Sequence, residues 1–289
     1  METEQLYQTY KPLLFSIAYR MTGSVTDAED LVQEAFLTYN SISSKKVIEN
    51  KKAYLCRIVM NSSIDKLRSA ASKREVYVGE WLPEPLVDDG NDPSNTYLIK
   101  ESISTAYLLL LQQLSEDERA VFILREVFQY SYEEIAAIIE KSSTNCRQIF
   151  HRAKKGMENR PKAASLDFQS MRSRVEQFTM AFQEGNIHKM LELLKTDSVF
   201  ISDGGGKVKA AINPIYTSER IVFLFTSIMK KLPKNSKMEF KDVNGYPGVV
   251  VSINDYVAYV ISIEFLGDKI SRIYMVANPD KLAHLQSNK

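Results

Sequence analysis

The stretch Ser131-Tyr132-Glu133-Glu134-Ile135-Ala136-Ala137-Ile138-Ile139-Glu140-Lys141-Ser142-Ser143-Thr144-Asn145-Cys146-Arg147-Gln148-Ile149-Phe150-His151-Arg152-Ala153-Lys154-Lys155 predicts two helices joined by a tight break. Ser131 followed three residues later by Glu134 is a helix start signal, because the hydroxyl and the carboxylate can each satisfy a backbone N–H at the helix end. Ile135, Ala136, Ile138 and Ile139 supply the apolar stripe of the first helix. After Lys141-Ser142-Ser143, the second helix gathers Cys146, Ile149, Phe150, Ala153 and Met157 on one face at helical spacing. Arg147, His151, Lys154 and Lys155 fall on the opposite face. Between 141 and 162 the basic residues Lys141, Arg147, Arg152, Lys154, Lys155, Arg160 and Lys162 face one acid, Glu158, a net of +6. A capped helix, a short turn and a basic second helix form a helix-turn-helix suited to duplex DNA. The basic excess would hold phosphates, while Arg147, Gln148 or Arg152 would read base edges.

Working outward, the 289-residue chain is long enough for roughly two domains with cores of their own. Its net charge of +1 makes the basic character local. Cys56 and Cys146 are isolated in helical patterns, which predicts reduced thiols, and His151, His188 and His284 are scattered without zinc-ligand spacing. No metal and no cofactor is therefore expected. Met1-Glu2-Thr3-Glu4-Gln5 does not resemble a secretory leader, and no apolar run is long enough to span a bilayer, so a cytoplasmic location without membrane contact is expected.

Residues 5 to 74 are predicted to be helical. Leu6, Tyr10, Leu13, Leu14, Ile17 and Ala18 make the first apolar face. A second helix is expected from Thr26, with Glu29 as its capping partner, through Leu31, Val32, Ala35 and Phe36. Asp27, Asp30, Gln33 and Glu34 form its outer face. A third helix, from about Ala53 to Ser72, aligns Arg57, Asn61 and Arg68, with Lys66, Lys73 and Arg74 adding positive charge. Residues 75 to 95 then carry Glu75, Glu80, Glu84, Asp88, Asp89 and Asp92 with three prolines and no Lys or Arg, the composition of a stiff acidic linker rather than a core element. Within it, Trp81-Leu82-Pro83-Glu84-Pro85-Leu86 holds the only tryptophan of the chain and predicts docking onto another part of the molecule. Ser115 and Glu118 start the helix of Val121, Phe122, Leu124 and Val127 that precedes the helix-turn-helix.

Taken in order, these parts resemble the extracytoplasmic-function (ECF) sigma factors of the sigma-70 superfamily. Asp27 to Phe36 is similar to the core-polymerase-binding helix of region 2, Ala53 to Arg68 to its promoter-melting helix, and Ser131 to Lys155 to region 4. Tyr54, Met60 and Asn145 depart from residues common in the family, which are tryptophan, a basic residue and lysine. The resemblance implies a non-enzymatic factor that binds core RNA polymerase through Asp27, Asp30, Gln33 and Glu34 and recognises promoter DNA. The loop around Ser43 to Asn50 would hold a flipped minus-ten base. Arg57, Asn61, Lys66 and Arg68 would contact the adjacent strand, and Arg147, Gln148, His151, Arg152, Lys154 and Lys155 the minus-thirty-five duplex. The acidic linker would thread the polymerase cleft.

Residues 167 to 289 predict an α+β domain. Phe168, Met171, Val175, Phe178 and Phe182 mark one helix, and Ile187, Met190, Leu191 and Leu194 another. A strand follows at Ser198 to Ser202, a helix at 218 to 231, and strands near 237–243, 248–253, 256–265 and 269–277, with turns at Asn244-Gly245, Asn254-Asp255 and Gly267-Asp268. A curved antiparallel sheet with helices makes a cone resembling the SnoaL-like, nuclear-transport-factor-like fold. The expected organisation is region 2 at 1–74, linker at 75–97, region 4 at 98–162 and a SnoaL-like domain at 167–289. Enzymes occur on that fold, but Asp203, Lys207, Tyr216 and His188 form no spaced acid and base pair. Nothing in the pattern names a small-molecule ligand for this domain. Trp81-Leu82-Pro83-Glu84-Pro85, Asp203-Gly204-Gly205-Gly206-Lys207 and Asn278-Pro279-Asp280-Lys281-Leu282 resemble motifs of the sigma group with a fused SnoaL-like extension. That resemblance implies regulation in cis, with the extension packed on region 2 and the linker. Two other classes stay open: a conventional helix-turn-helix repressor, against which the Asp27–Phe36 helix and acidic linker count, and an enzyme with a DNA tether.

Overall fold

A computed structural model of the chain describes residues 2–43, 48–74, 77–88, 103–157 and 166–286. The chain forms two compact units, one of residues 1–76 and 107–160 and the other of residues 77–106 and 161–289.

The first unit is helical. Helix α1 (Glu2–Thr22) ends at Gly23, whose φ of 71° is left-handed, and α2 (Val25–Ser43) begins at once. Its cap is Ser24, whose hydroxyl accepts from the Asp27 N–H at 3.1 Å. The expected Thr26–Glu29 cap is therefore corrected: the glycine break sets the helix start two residues earlier, leaving Thr26 inside the first turn. Helix α3 (Lys51–Arg74) is capped by Asn50, which accepts from the Ala53 N–H at 2.9 Å. A short helix α4 (Thr105–Leu111) precedes α5 (Glu116–Phe122), which starts with a complete Ser115–Glu118 capping box and runs into a π turn at Ile123–Val127. Helices α6 (Tyr132–Ile139) and α7 (Ser143–Gly156) form the helix-turn-helix. Ser131 and Glu134 make the expected capping box, Glu140 turns left-handed at φ 57°, and Ser142 caps α7. Cys146, Ile149, Ala153 and Met157 are buried, while Arg147, Gln148, His151, Arg152, Lys154 and Lys155 are exposed.

The core of this unit joins the two groups of helices. Tyr19, Leu14, Ile17 and Met21 of α1, Leu55 and Met60 of α3, and Phe122 of α5 are all fully buried. Arg119 of α5, itself buried, donates from Nη1 to the Met21 carbonyl at 2.5 Å and from Nη2 to the Leu114 carbonyl at 3.4 Å. A cation on the Met21 carbonyl, in the last turn of α1, satisfies an acceptor that has no partner within the helix.

The second unit is α+β. Helices α8 (Phe168–Gln183) and α9 (Ile187–Leu193) lead into β1 (Leu194–Asp203), β2 (Ile215–Tyr216), α10 (Ser218–Met229), β3 (Ser236–Val243), β4 (Tyr246–Ile253), β5 (Tyr256–Leu266) and β6 (Lys269–Val276), followed by a 3-10 turn at Pro279–Leu285. The sheet order is β2-β1-β6-β5-β4-β3. Both central residues of the Asn244-Gly245 and Asn254-Asp255 turns have positive φ, as two-residue hairpins require. The sheet is mixed rather than antiparallel, because β1 runs parallel to β6. Hairpin turns give the direction of β3 to β6, but β1 reaches β6 only through the rest of the domain, so no local signal set its direction. β2 is a further strand with no counterpart in the expected pattern. The core centres on Phe225 of α10, with Phe178, Phe182 and Phe200 edge-on around it at centroid distances of 5.4 to 5.8 Å. Phe168 and Ile187 were expected on apolar faces but are 40% and 48% exposed, each being the first residue of its helix and outside the core cluster.

Replacing Ser131 by Ala should cost the helical unit about 1 kcal/mol, the usual value of an N-cap side chain, in chemical denaturation. The cap bonds also hold the Glu134 carboxyl below the ordinary carboxylate range, first through the Ser131 backbone N–H. This contribution is present at neutral pH and is lost as pH falls through the folded-state pKa.

Candidate functional site

In the second unit, three separate stretches converge on one buried carboxylate. Asp203, at the end of β1, is fully buried. Its Oδ1 accepts from the Tyr77 hydroxyl at 2.5 Å and the Gly205 N–H at 3.0 Å. Its Oδ2 accepts from the Leu82 N–H at 2.8 Å and from Lys281 Nζ at 2.6 Å. Lys281, 6% exposed, also donates to the Leu82 carbonyl and lies 3.8 Å from the centre of the Trp81 ring. Asn278 donates to the Tyr77 hydroxyl at 3.0 Å. Burial, together with the bond to Asp203, pushes the Tyr77 phenol well above its ordinary range. Linker, glycine loop and C-terminal turn thus share one polar node.

The glycines follow from this packing. Gly205 and Gly206 are left-handed at φ 59° and 71°. A Cβ at Gly205 would overlap the Asn278 amide, and one at Gly206 would press on Val78 at 3.2 Å. At Gly204 the obstacle is the Val208 carbonyl at 2.6 Å. Lys207 pairs with Asp280 at 2.5 Å on the surface. Pro279 begins the 3-10 turn, where a missing N–H costs nothing.

The linker is not the non-core segment its composition predicts. Leu82 and Leu86 are 1% and 3% exposed, and Pro83 is buried. Leu86 exchanges bonds with Asn244 in the β3–β4 turn, Val87 bridges Val243, and His284 Nε2 donates to the Pro85 carbonyl at 3.0 Å. The paired apolar residues Leu82-Pro83 and Pro85-Leu86 are buried despite the acidic composition, with Glu80 exposed and Glu84 and Asp88 half-buried. Glu75, Asp89, Asp92 and Pro93 lie outside the described residues. Tyr77 was missed by sequence reasoning, and Lys281 was quoted within the Asn278-to-Leu282 motif without a role of its own; its place beside Leu282 was the available signal.

In the first unit, many of the basic candidates stand in ion pairs. Arg57 lies 3.9 Å from Glu140, Lys66 pairs with Asp27 at 2.6 Å, and Arg68 reaches Asp117 at 3.6 Å. Arg147 pairs with Glu133 at 3.0 Å and sits over the Tyr132 ring, while Arg152 pairs with Glu118 at 3.2 Å. Asn61 is half-buried on α3; Gln148, His151, Lys154 and Lys155 are exposed. Asp30, Gln33 and Glu34 project from α2 and Asp27 is half-buried. A groove of about 620 Å³ is walled by Asn50, Lys52, Tyr54 and Arg57 on one side and Tyr130, Glu133 and Glu134 on the other. The side chains of Lys73 and Arg74, residues 44–47 of the expected base loop, and Glu158, Arg160 and Lys162 lie outside the described residues.

Among the described residues, no group of acids, histidines or cysteines is arranged to hold a metal ion, and no helix is long and apolar enough to cross a membrane. Cys56 and Cys146 are free and buried.

A helical unit carrying a helix-turn-helix, and an α+β unit that captures the linker, define a multi-domain transcription factor. Family models agree: Sigma-70 region 2 matches residues 6–73 and Sigma-70, region 4 matches residues 104–157. The ECF RNA polymerase sigma factor SigJ of Mycobacterium tuberculosis is 31% identical over 287 residues, covering 95% of this chain and 91% of that protein. A probable ECF sigma factor, SigI of the same species, is 25% identical over 285 residues, covering 97% and 95%. The crystal structure of SigJ is similar at a TM-score of 0.79 and 27% identity, covering 96% of this chain and 98% of that one. The chain belongs to the ECF RNA polymerase sigma factors, non-enzymatic initiation factors whose membership implies binding to core RNA polymerase and promoter DNA.

Asp203→Asn should leave the Lys281 charge uncompensated and cost the α+β unit about 3–5 kcal/mol, the usual result of removing one partner of a buried pair. The emission of Trp81 should shift to the red in the same variant. Lys207→Ala, breaking an exposed pair, should change stability by less than about 1 kcal/mol.

Proposed function

We propose that this sigma factor is regulated in cis, its C-terminal domain withholding the linker through the Asp203 node. The observation that carries this reading is the pairing of both Asp203 carboxylate oxygens with linker groups, the Tyr77 hydroxyl and the Leu82 N–H. A linker so held is not available to thread a polymerase cleft. Initiation then requires release of the node.

The helical unit supports a matching closed state. Minus-ten and minus-thirty-five elements lie about 25 base pairs apart, about 85 Å of B-DNA at about 3.4 Å per pair. A compact unit of roughly 130 residues has a radius of gyration near ~14 Å. It cannot reach both elements without opening. Glu133 and Glu134 in the groove opposite Lys52 and Arg57 also oppose entry of a phosphate chain. The exposed ion pairs of Arg57, Arg68, Arg147 and Arg152 are of the weak surface kind, easily exchanged for phosphates once the regions part.

In the open complex, Asp27, Asp30, Gln33 and Glu34 dock on polymerase. Arg57, Asn61, Lys66 and Arg68 follow the separated strand. Arg147, Gln148, His151, Arg152, Lys154 and Lys155 grip the minus-thirty-five duplex, with Arg147, Gln148 and Arg152 nearest the bases.

Run-off transcription with purified core polymerase tests the regulatory reading. Residues 1–165 and the Asp203→Asn full chain should initiate severalfold more than the native chain, and truncations after 205 and after 277 should differ from each other. Equal transcription from every form would overturn regulation in cis. For the duplex grip, Lys154→Ala should weaken binding across promoter sequences and lower the salt slope by about 1, whereas Arg147→Ala should also relax base preference.

A further inference from the structure

The α+β unit holds a cavity of about 150 Å³, partly open at its rim, that the Asp203 node does not use. Its wall is apolar: Phe178 and Phe182 of α8, Phe225 of α10, Val251 of β4, and Ile273 and Met275 of β6. An apolar space of this size does not hold water well and accepts a body the size of one aromatic ring. Three lining residues carry polar groups. Thr179 donates its hydroxyl to the Val175 carbonyl at 2.8 Å, so its proton is already committed. Tyr259 and Lys209 also line the cavity, and among the described residues neither the Tyr259 hydroxyl nor the Lys209 ammonium has a hydrogen-bond or ion-pair partner. Tyr259 is half-buried and Lys209 is exposed.

We propose that this cavity binds a small apolar monocarboxylic acid, ring or short chain inward and carboxylate toward Lys209 and Tyr259, and that its occupancy is transmitted to the Asp203 node. An ammonium at the rim and a spare phenolic donor select an anionic head over a neutral one. The coupling follows two covalent routes. Lys209 lies in the tight loop that starts at Asp203. There the Lys207 and Val208 N–H groups bond the Gly204 carbonyl, and Ser202 and Ala211 bond each other across its base. Lys207 of the same loop pairs with Asp280. Met275 of β6 lines the cavity, and Ala277 and Asn278, just beyond it, donate backbone N–H groups to the Asp203 carbonyl. A ligand that draws Lys209 inward or shifts β6 must therefore move groups attached to the node.

The coupling rests on the regulatory reading of that node; the binding does not. Calorimetric titration of the full chain with hexanoate, benzoate and phenylacetate, each beside its alcohol or amide, tests binding directly. The emission of Trp81, the only tryptophan and a node residue, reports coupling in the same sample. The acids should bind, the neutral analogues should bind about fivefold more weakly, and Lys209→Gln should remove that preference. Ile261 of β5 also lines the cavity, and Ile261→Phe, which fills it, should abolish binding while Lys209→Gln, at an exposed position, keeps the fold intact. Acid binding should shift the Trp81 emission. No binding of any acid at millimolar concentration, or equal binding of acids and neutral analogues, would overturn the assignment. Binding with unchanged Trp81 emission would overturn the coupling and leave regulation in cis to stand on the transcription assay.

Discussion

Burying the Asp203 carboxylate beside the Lys281 ammonium is the constraint on which the C-terminal unit is organised. Each ion loses several kcal/mol of hydration on burial, and the attraction between them offsets this only when their remaining hydrogen-bonding capacity is filled. Here Tyr77, Gly205 and Leu82 complete the carboxylate, and the Leu82 carbonyl and Trp81 ring complete the ammonium. Four of those five partner groups belong to the linker. Without the linker, the pair would be buried and half satisfied, so the ion pair enforces one position of the linker more than it adds net stability. Gly205 and Gly206 serve the same end, allowing Asn278 and Val78 to approach the loop that carries Asp203, while Gly204 leaves room for the Val208 carbonyl.

The helical unit uses charge in the opposite regime. Its arginines pair with carboxylates at the surface, where water and salt reduce each pair to a fraction of a kcal/mol. Such pairs hold no conformation by themselves, and they cost little to exchange for DNA phosphates. What joins the two sigma regions is buried instead: the core of Tyr19, Leu55 and Phe122 and the Arg119 bond to the end of α1. Separating the two regions would therefore work against apolar contact and one buried arginine. One chain thus holds residues 77–88 through a buried ion pair and covers its surface arginines with weak, exchangeable pairs.

Local signals were legible wherever the physics is local. The Ser115–Glu118 and Ser131–Glu134 boxes, the apolar face of the second helix of the helix-turn-helix, and the hairpins at Asn244-Gly245 and Asn254-Asp255 depend on residues a few positions apart. The order of those parts was enough to indicate a sigma factor with an α+β extension. The α2 cap is the exception, a local effect of Gly23 beside Ser24. The other differences arose where a neighbour in space decided: β1 ran parallel to β6, and Phe168 stood outside the core.

The amino-acid sequence by itself determined the helix-turn-helix, its basic face, the acidic composition of residues 75–95 and the positions of the Trp81, Asp203 and Asn278 motifs. Only the tertiary structure decided that those motifs meet at one carboxylate, that Lys281 and Tyr77 complete it, and that Leu82 and Leu86 are core residues. Composition describes a segment as if it were surrounded by water, and residues 77–88 read as an acidic linker on that basis. Their burial depends on groups more than 100 residues away in the chain. A carboxylate becomes a node only when the fold removes its water and supplies donors in its place.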